Sequence, residues 1–127
     1  MPVTIGACVK ALKQKNKKAL IAYLTAGDPH LQFTHDLIVE LENAGVDILE
    51  LGVPFNYPVG DGPVIQRSAR RALQSGTSLS LILTFVARLR QEGVEMPIVL
   101  FSYHNPVYAY GYKKLASASA HAGVSAT

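Results

Sequence analysis

Glu50 is the residue in this chain whose position most demands a chemical explanation. It lies in Val46-Asp47-Ile48-Leu49-Glu50-Leu51, a short apolar run that reads as a strand. Strand side chains alternate, so Val46, Ile48 and Glu50 share one face while Leu49 and Leu51 take the other, toward covering helices. A carboxylate near the C-terminal end of such a strand is costly to bury without a partner. Burial raises a carboxyl pKa toward neutrality, which suits a general acid and base. The plainer alternative is a strand-end glutamate held by backbone N–H groups or an arginine. Eleven residues on, Asp61 sits in Val59-Gly60-Asp61-Gly62-Pro63, a tight loop at the same end of the strand. Alone it reads more readily as a turn aspartate that satisfies its own backbone. With Glu50 it completes a pair of carboxylates flanking one mouth, a usual arrangement for acid and base work. The spacing matches neither the Walker loop nor the dinucleotide fingerprint. An aromatic loop, Ser102 to Tyr110, follows a third apolar run on the same rim. It suits either a pocket for a flat ligand or a partner surface.

The elements that position these residues follow from periodicity. Residues 4–14 read as a short amphipathic helix with Ile5, Val9 and Leu12 on one side. Ala19 to Thr25 reads as a buried strand, after which Asp28 is expected to cap a helix with Pro29 in its first turn. Phe33, Leu37, Ile38, Leu41 and Ala44 recur at helical spacing before Gly45. A glycine- and proline-rich stretch, Gly52 to Pro63, precedes a helix over 64–73 with Arg67, Arg70 and Arg71 on its wet side. Ser78 caps the next helix, built on Leu79, Ile82, Leu83, Val86 and Leu89. Pro97 to Phe101 is a third strand, and Gly111 to Ala122 a helix stopped by Gly123. Val124 to Thr127 reads as the opening of a fourth strand. Asn43-Ala44-Gly45-Val46 and His121-Ala122-Gly123-Val124 are matching helix-to-strand junctions, each 27 residues after the start of the preceding strand. Strands alternating with helices at this period predict βαβ units and a parallel α/β sheet, either doubly wound or a barrel. Continuously apolar strands predict burial on both faces.

Composition bounds the rest. Of 127 residues, 49% are hydrophobic and 17% charged, which is globular rather than disordered. The net charge of +3 comes from Lys10, Lys13, Lys15, Lys17 and Lys18. They read as a solvated helix face and its C-terminal end, since no aromatic pattern for stacking bases accompanies them, and no nucleic-acid partner is expected. Cys8 is the single cysteine, so no intrachain disulfide forms, which fits a reducing compartment. The four histidines lack the paired spacing of zinc sites, and no metal is expected. No apolar stretch approaches the roughly 20 residues of a membrane span, and the N-terminus lacks a signal-peptide core, so the expected location is cytoplasmic.

Three stretches resemble one known family. Leu49-Glu50-Leu51-Gly52-Val53-Pro54-Phe55, then Pro58, then Asp61-Gly62-Pro63-Val64-Ile65-Gln66, is similar to the signature of the tryptophan synthase α subunit. Tyr23 to Pro29 resembles that family's first strand and turn, and Ser102 to Pro106 its third βα loop. The resemblance implies a (β/α)8 TIM barrel, of which residues 1–127 would form a single partial domain: the first half, about four βα units with the last incomplete. It implies retro-aldol cleavage of indole-3-glycerol phosphate to indole and glyceraldehyde-3-phosphate. Glu50 matches the acid and base at indole C3, and Asp61 the carboxylate that binds the indole N–H. Phe101 and Tyr103 match positions beside the ring, and Tyr23 an aromatic on the pocket floor. The loops around Pro54 and Asn105 match the contact with a β subunit, which carries pyridoxal phosphate; no cofactor is implied in this chain. At Asn56-Tyr57 the family has Ser or Thr followed by an acidic residue that couples this loop to the β subunit. A complete barrel runs to about 250 residues and builds its phosphate site from late loops. The 127 residues alone are therefore expected to be poorly stable or to self-associate, and to show weak lyase activity at most. Two other readings stay open. One is a non-catalytic module that only docks to a β subunit. The other is a barrel enzyme acting on another phosphorylated indole or anthranilate compound, against which the Glu50 and Asp61 motif speaks.

Overall fold

The computed structural model describes residues 2–127. Helix α1 (Ile5–Gln14) opens at Thr4, whose Oγ1 accepts from the Ala7 N–H at 3.1 Å. It buries no residue, and its lysines all face solvent. Strand β1 (Ile21–Thr25) leads to α2 (Leu31–Asn43), β2 (Ile48–Gly52), α3 (Pro63–Gln74) and α4 (Leu79–Gln91). Strand β3 (Ile98–Phe101), α5 (His104–Tyr110) and α6 (Tyr112–Ala122) follow. The strands form a parallel sheet in the order β1-β2-β3. Residues 124–127 extend it beside β3: Leu100 N–H donates to Ala126 O and Ser125 N–H to Ile98 O, each at 2.8 Å. The expected fourth strand thus opens where βαβ succession puts it.

One face of the sheet carries the core. Leu49, Leu51, Ile98 and Leu100 are buried beneath Ile38 of α2, Ile82, Val86 and Leu89 of α4, and Leu115 of α6. Full burial of each such side chain stabilises by roughly 1.5–3 kcal/mol. The opposite face departs from expectation. Ile21 is 51% and Phe101 54% exposed, and Glu50 is half-buried. Continuous apolarity predicts burial on both faces; on this side Ile48 and Thr25 are buried, but Ile21, Glu50 and Phe101 are left partly or largely open.

Junctions at the N-terminal edge are tied by two charged residues. Glu42 Oε1 accepts from the N–H groups of Glu95 and Met96, both at 2.8 Å. Arg90 donates to the carbonyls of Val94 and Met96 at 2.8 Å and of Gly123 at 3.0 Å. Together they seat the entry to β3 beside the exit from α6. Gly45 and Gly123, the paired junction glycines, both adopt positive φ (98° and 84°), the left-handed stop that only glycine takes without strain.

Two local expectations are corrected. Asp28 does not cap α2. Its carboxylate accepts from Arg71 at 2.7 and 2.9 Å and from Ser68 Oγ at 2.6 Å, leaving nothing for the helix end. His30 caps instead, its Nδ1 accepting from the Phe33 N–H at 3.1 Å. The aromatic stretch after β3 is not a loop but the seven-residue helix α5. Pro106 falls in its first turn, where its missing N–H costs no hydrogen bond.

Candidate active site

Strand register brings the site together. Tyr23, Glu50 and Val99 are register partners across the three strands, and Thr25, Gly52 and Phe101 form the next row toward the C-terminal rim. Register partners in a parallel sheet point to the same face, so Glu50 stands between an aromatic and a valine on the side opposite the core. Its carboxylate has no hydrogen-bond partner among the described residues. The alternative of a backbone or arginine clamp is not seen among the described residues, and the burial expected of Glu50 is only partial. The reason is geometric: the face it projects from is the open one.

Tyr23 lies across the adjacent strand. A Cβ on Gly52 would meet its hydroxyl at 2.3 Å, so the phenol occupies space that only glycine leaves free. The hydroxyl sits 3.3 Å from Thr25 Oγ1, and the ring meets Phe101 edge-on, centroids 5.9 Å apart. Burial pushes the Tyr23 phenol above its ordinary pKa; the Thr25 hydroxyl draws it back, and the negative charges of Asp61 and Glu50 raise it further. Glu50 thus lies beside Tyr23 in the sheet, while Asp61 is tied to Tyr103 just beyond β3.

Asp61 is held by the loop between β2 and α3. Its N–H donates to Pro58 O at 3.0 Å, and its carbonyl accepts from Gln66 Nε2 at 2.8 Å. Gly62 precedes Pro63 at the first position of α3, so Asp61 stands at the positive end of a twelve-residue helix, a favourable place for a carboxylate. Tyr103 donates its hydroxyl proton to Asp61 Oδ2 at 3.0 Å. Burial and the hydrogen bond to Asp61 push the Tyr103 pKa up, which keeps the proton on the phenol. Gly60, Asp61, Phe101, Ser102 and Tyr103 line a cavity of about 270 Å³. A larger cleft, about 620 Å³, opens at the other end of the sheet, but its lining from Pro2 to Ser125 holds no carboxylate. The N-terminal end of such a sheet serves stability rather than chemistry.

The two proposed partner positions fare differently. Asn105 is exposed on α5. Pro54 is buried, so any contact made there falls to Asn56, Tyr57 (74% exposed) and Val59 (89% exposed). Phe55 was not singled out from sequence, yet its ring packs against Tyr57 at 6.1 Å and Tyr103 at 5.4 Å and so joins the outer loop to the Asp61 support. Its only sequence signal is its place beside Pro54 in the signature.

A parallel sheet with helices on one face and two carboxylates at its C-terminal rim defines part of a β/α barrel. Residues 9–127 match the family model described as tryptophan synthase alpha chain. A curated tryptophan synthase alpha chain of Citrifermentans bemidjiense is 52% identical over 116 residues, 91% of this chain and 43% of that protein. The crystal structure of tryptophan synthase subunit alpha from Legionella pneumophila superposes with a TM-score of 0.92 at 40% identity, over 94% of this chain and 46% of that one. Tryptophan synthase from Mycobacterium tuberculosis in its aminoacrylate-bound form gives 0.86 at 34% identity, over 94% of this chain and 48% of that one. The chain belongs to the tryptophan synthase alpha chain family, and its fold is a partial TIM barrel. It spans less than half the length of the relatives it matches.

Proposed function

We propose that this chain supplies the acid–base side of a lyase site that cleaves indole-3-glycerol phosphate into indole and glyceraldehyde-3-phosphate. What supports the reading is the placement of Glu50 beside Tyr23 in the sheet and of Asp61, held by Tyr103, on the loop that follows the same strand. Asp61 accepts the indole N–H through its free carboxylate oxygen and stabilises the positive charge that develops on the ring. Glu50 delivers a proton to indole C3. The Glu50 carboxylate left behind takes the proton from the hydroxyl on the carbon next to the ring, and the C–C bond breaks. Its electrons return to the ring, and the hydroxyl carbon leaves as an aldehyde. Tyr23, Phe101 and Tyr103 offer aromatic faces to a flat bicyclic ring.

The exposed surfaces of Tyr57, Val59 and Asn105 suit contact with a β subunit. Pyridoxal phosphate belongs to that partner in this reading. The cavity by Asp61 includes no lysine amine to hold it, and no step of this chain's chemistry runs through it. The same exposed rim also favours a second reading, a module that docks to a β subunit without catalysis.

Indole release from indole-3-glycerol phosphate by the full-length protein separates the two. Lyase turnover is expected, with Glu50→Gln reducing kcat by about 10²–10⁴ and Asp61→Asn by about 10²–10³. Wild-type protein that binds a β subunit but releases no indole establishes the docking module. Full turnover by Glu50→Gln removes Glu50 from the mechanism.

A further inference from the structure

The Tyr103 hydroxyl makes two hydrogen bonds, and their direction is forced. The Gly60 N–H can only donate, and it reaches the phenol oxygen at 2.8 Å. The single phenol proton therefore goes to Asp61 Oδ2, 3.0 Å away. Oδ1 of the same carboxylate has no partner among the described residues. One side chain from the end of β3 thus holds both the backbone and the side chain of neighbouring residues on the β2–α3 loop. The fit is close: a Cβ added to Gly60 would lie 3.1 Å from the phenol oxygen. The Tyr103 ring is in turn steadied by Phe55 at 5.4 Å with a 34° tilt.

We infer that Tyr103 is a positioning residue that acts through Asp61. Its hydroxyl ties Oδ2 to the Gly60 amide and so turns Oδ1 toward the opening as the acceptor for a ring N–H. This rests on the lyase reading above and deepens it: beyond presenting an aromatic face to the substrate, Tyr103 fixes the carboxylate that meets charge on the ring. A carboxylate free to rotate would have to be ordered as that charge develops, whereas a tethered one is ready in place. The effect therefore belongs to kcat rather than to substrate binding.

The test is steady-state kinetics of the full-length protein with indole-3-glycerol phosphate, beside hydrogen exchange at the Gly60 amide. Tyr103→Phe keeps the ring and removes the hydroxyl. It is expected to lower kcat about tenfold, the worth of one hydrogen bond to a charged group, and to leave KM within about twofold. Tyr103→Ala, which also removes the ring, should raise KM in addition. Gly60 exchange should quicken about tenfold in Tyr103→Phe, since its amide loses its acceptor. Unchanged kcat in Tyr103→Phe, or a loss confined to KM, overturns the inference. If the wild-type protein releases no indole, the lyase reading fails instead, and the tether is then judged on exchange alone: an unaltered Gly60 rate defeats it.

Discussion

At the scale of single residues, Gly52 and Tyr23 are two halves of one feature. A methyl group on Gly52 would lie 2.3 Å from the Tyr23 hydroxyl and 2.7 Å from the ring carbon that bears it. Gly52→Ala must displace that phenol from between its neighbours. The expected cost is about 1–3 kcal/mol, the usual range for overpacking, read as a shift in urea midpoint with no change in slope. Tyr23→Ala should absorb most of that penalty when combined with Gly52→Ala, because the two changes meet at one contact. Additive effects in the double mutant would show that the phenol is not what Gly52 accommodates. In sequence Gly52 reads only as the start of a loop; its reason for being glycine lies 29 residues earlier in the chain, across a strand.

At the scale of elements, α2 and α4 are joined on their outer surface by a charged cluster. His35 Nδ1 meets Asp36 Oδ1 at 2.9 Å, and its Nε2 contacts Glu92 Oε2. Arg88 donates to the other Glu92 oxygen at 2.8 Å, and Gln32 to Asp36 at 3.0 Å. The hydrogen bonds from Asp36 and Glu92 raise the His35 pKa above its ordinary value, while contact with His35 lowers both carboxylates. A histidine raised on folding contributes stability that is full below its unfolded pKa and lost as pH climbs through its folded value. Depressed carboxylates contribute above their unfolded values and lose it as pH falls through their folded ones. The tie is therefore strongest from just above the ordinary carboxylate range to the ordinary histidine value, and fades as pH rises through the raised one. An NMR titration of His35 should give a pKa above that of a free imidazole. His35→Gln should flatten the pH dependence of stability over that upper window. A His35 pKa at or below the free value would rule the tie out. Exposure of the carboxylates keeps its energy small and sensitive to salt.

At the scale of the whole molecule, the described residues form one packed face and one open face. Leu49, Leu51, Ile98 and Leu100 are sealed by helices, while Ile21 and Phe101 lie half in water around Glu50. Strand β1 also presents an unpaired edge, since β2 is its only neighbour in the sheet. Exposed apolar rows beside an open parallel edge favour association. Expressed as these 127 residues alone, the chain is expected to sediment as dimers or larger species at micromolar concentration. Its apparent melting temperature should rise with concentration. A monomer melting cooperatively at a concentration-independent temperature would show that the open face needs no cover.

Sequence by itself determined the alternation of strands and helices, the face on which Glu50 projects, and the loop that carries Asp61. Each of these rests on local order: a period of two or of 3.6, a glycine stop, a proline at a helix start. It read α5 as a loop, because seven residues are too few for helical periodicity to show, and it misassigned Asp28, whose partner Arg71 lies 43 residues away. Only the tertiary structure decided that Pro54 is covered, that Tyr23 crosses Gly52, and that Tyr103 holds Asp61 across 42 residues. Those are contacts between rim loops, set by how the strands line up and how the helices pack behind them. No local pattern along the chain encodes which loop end will meet which.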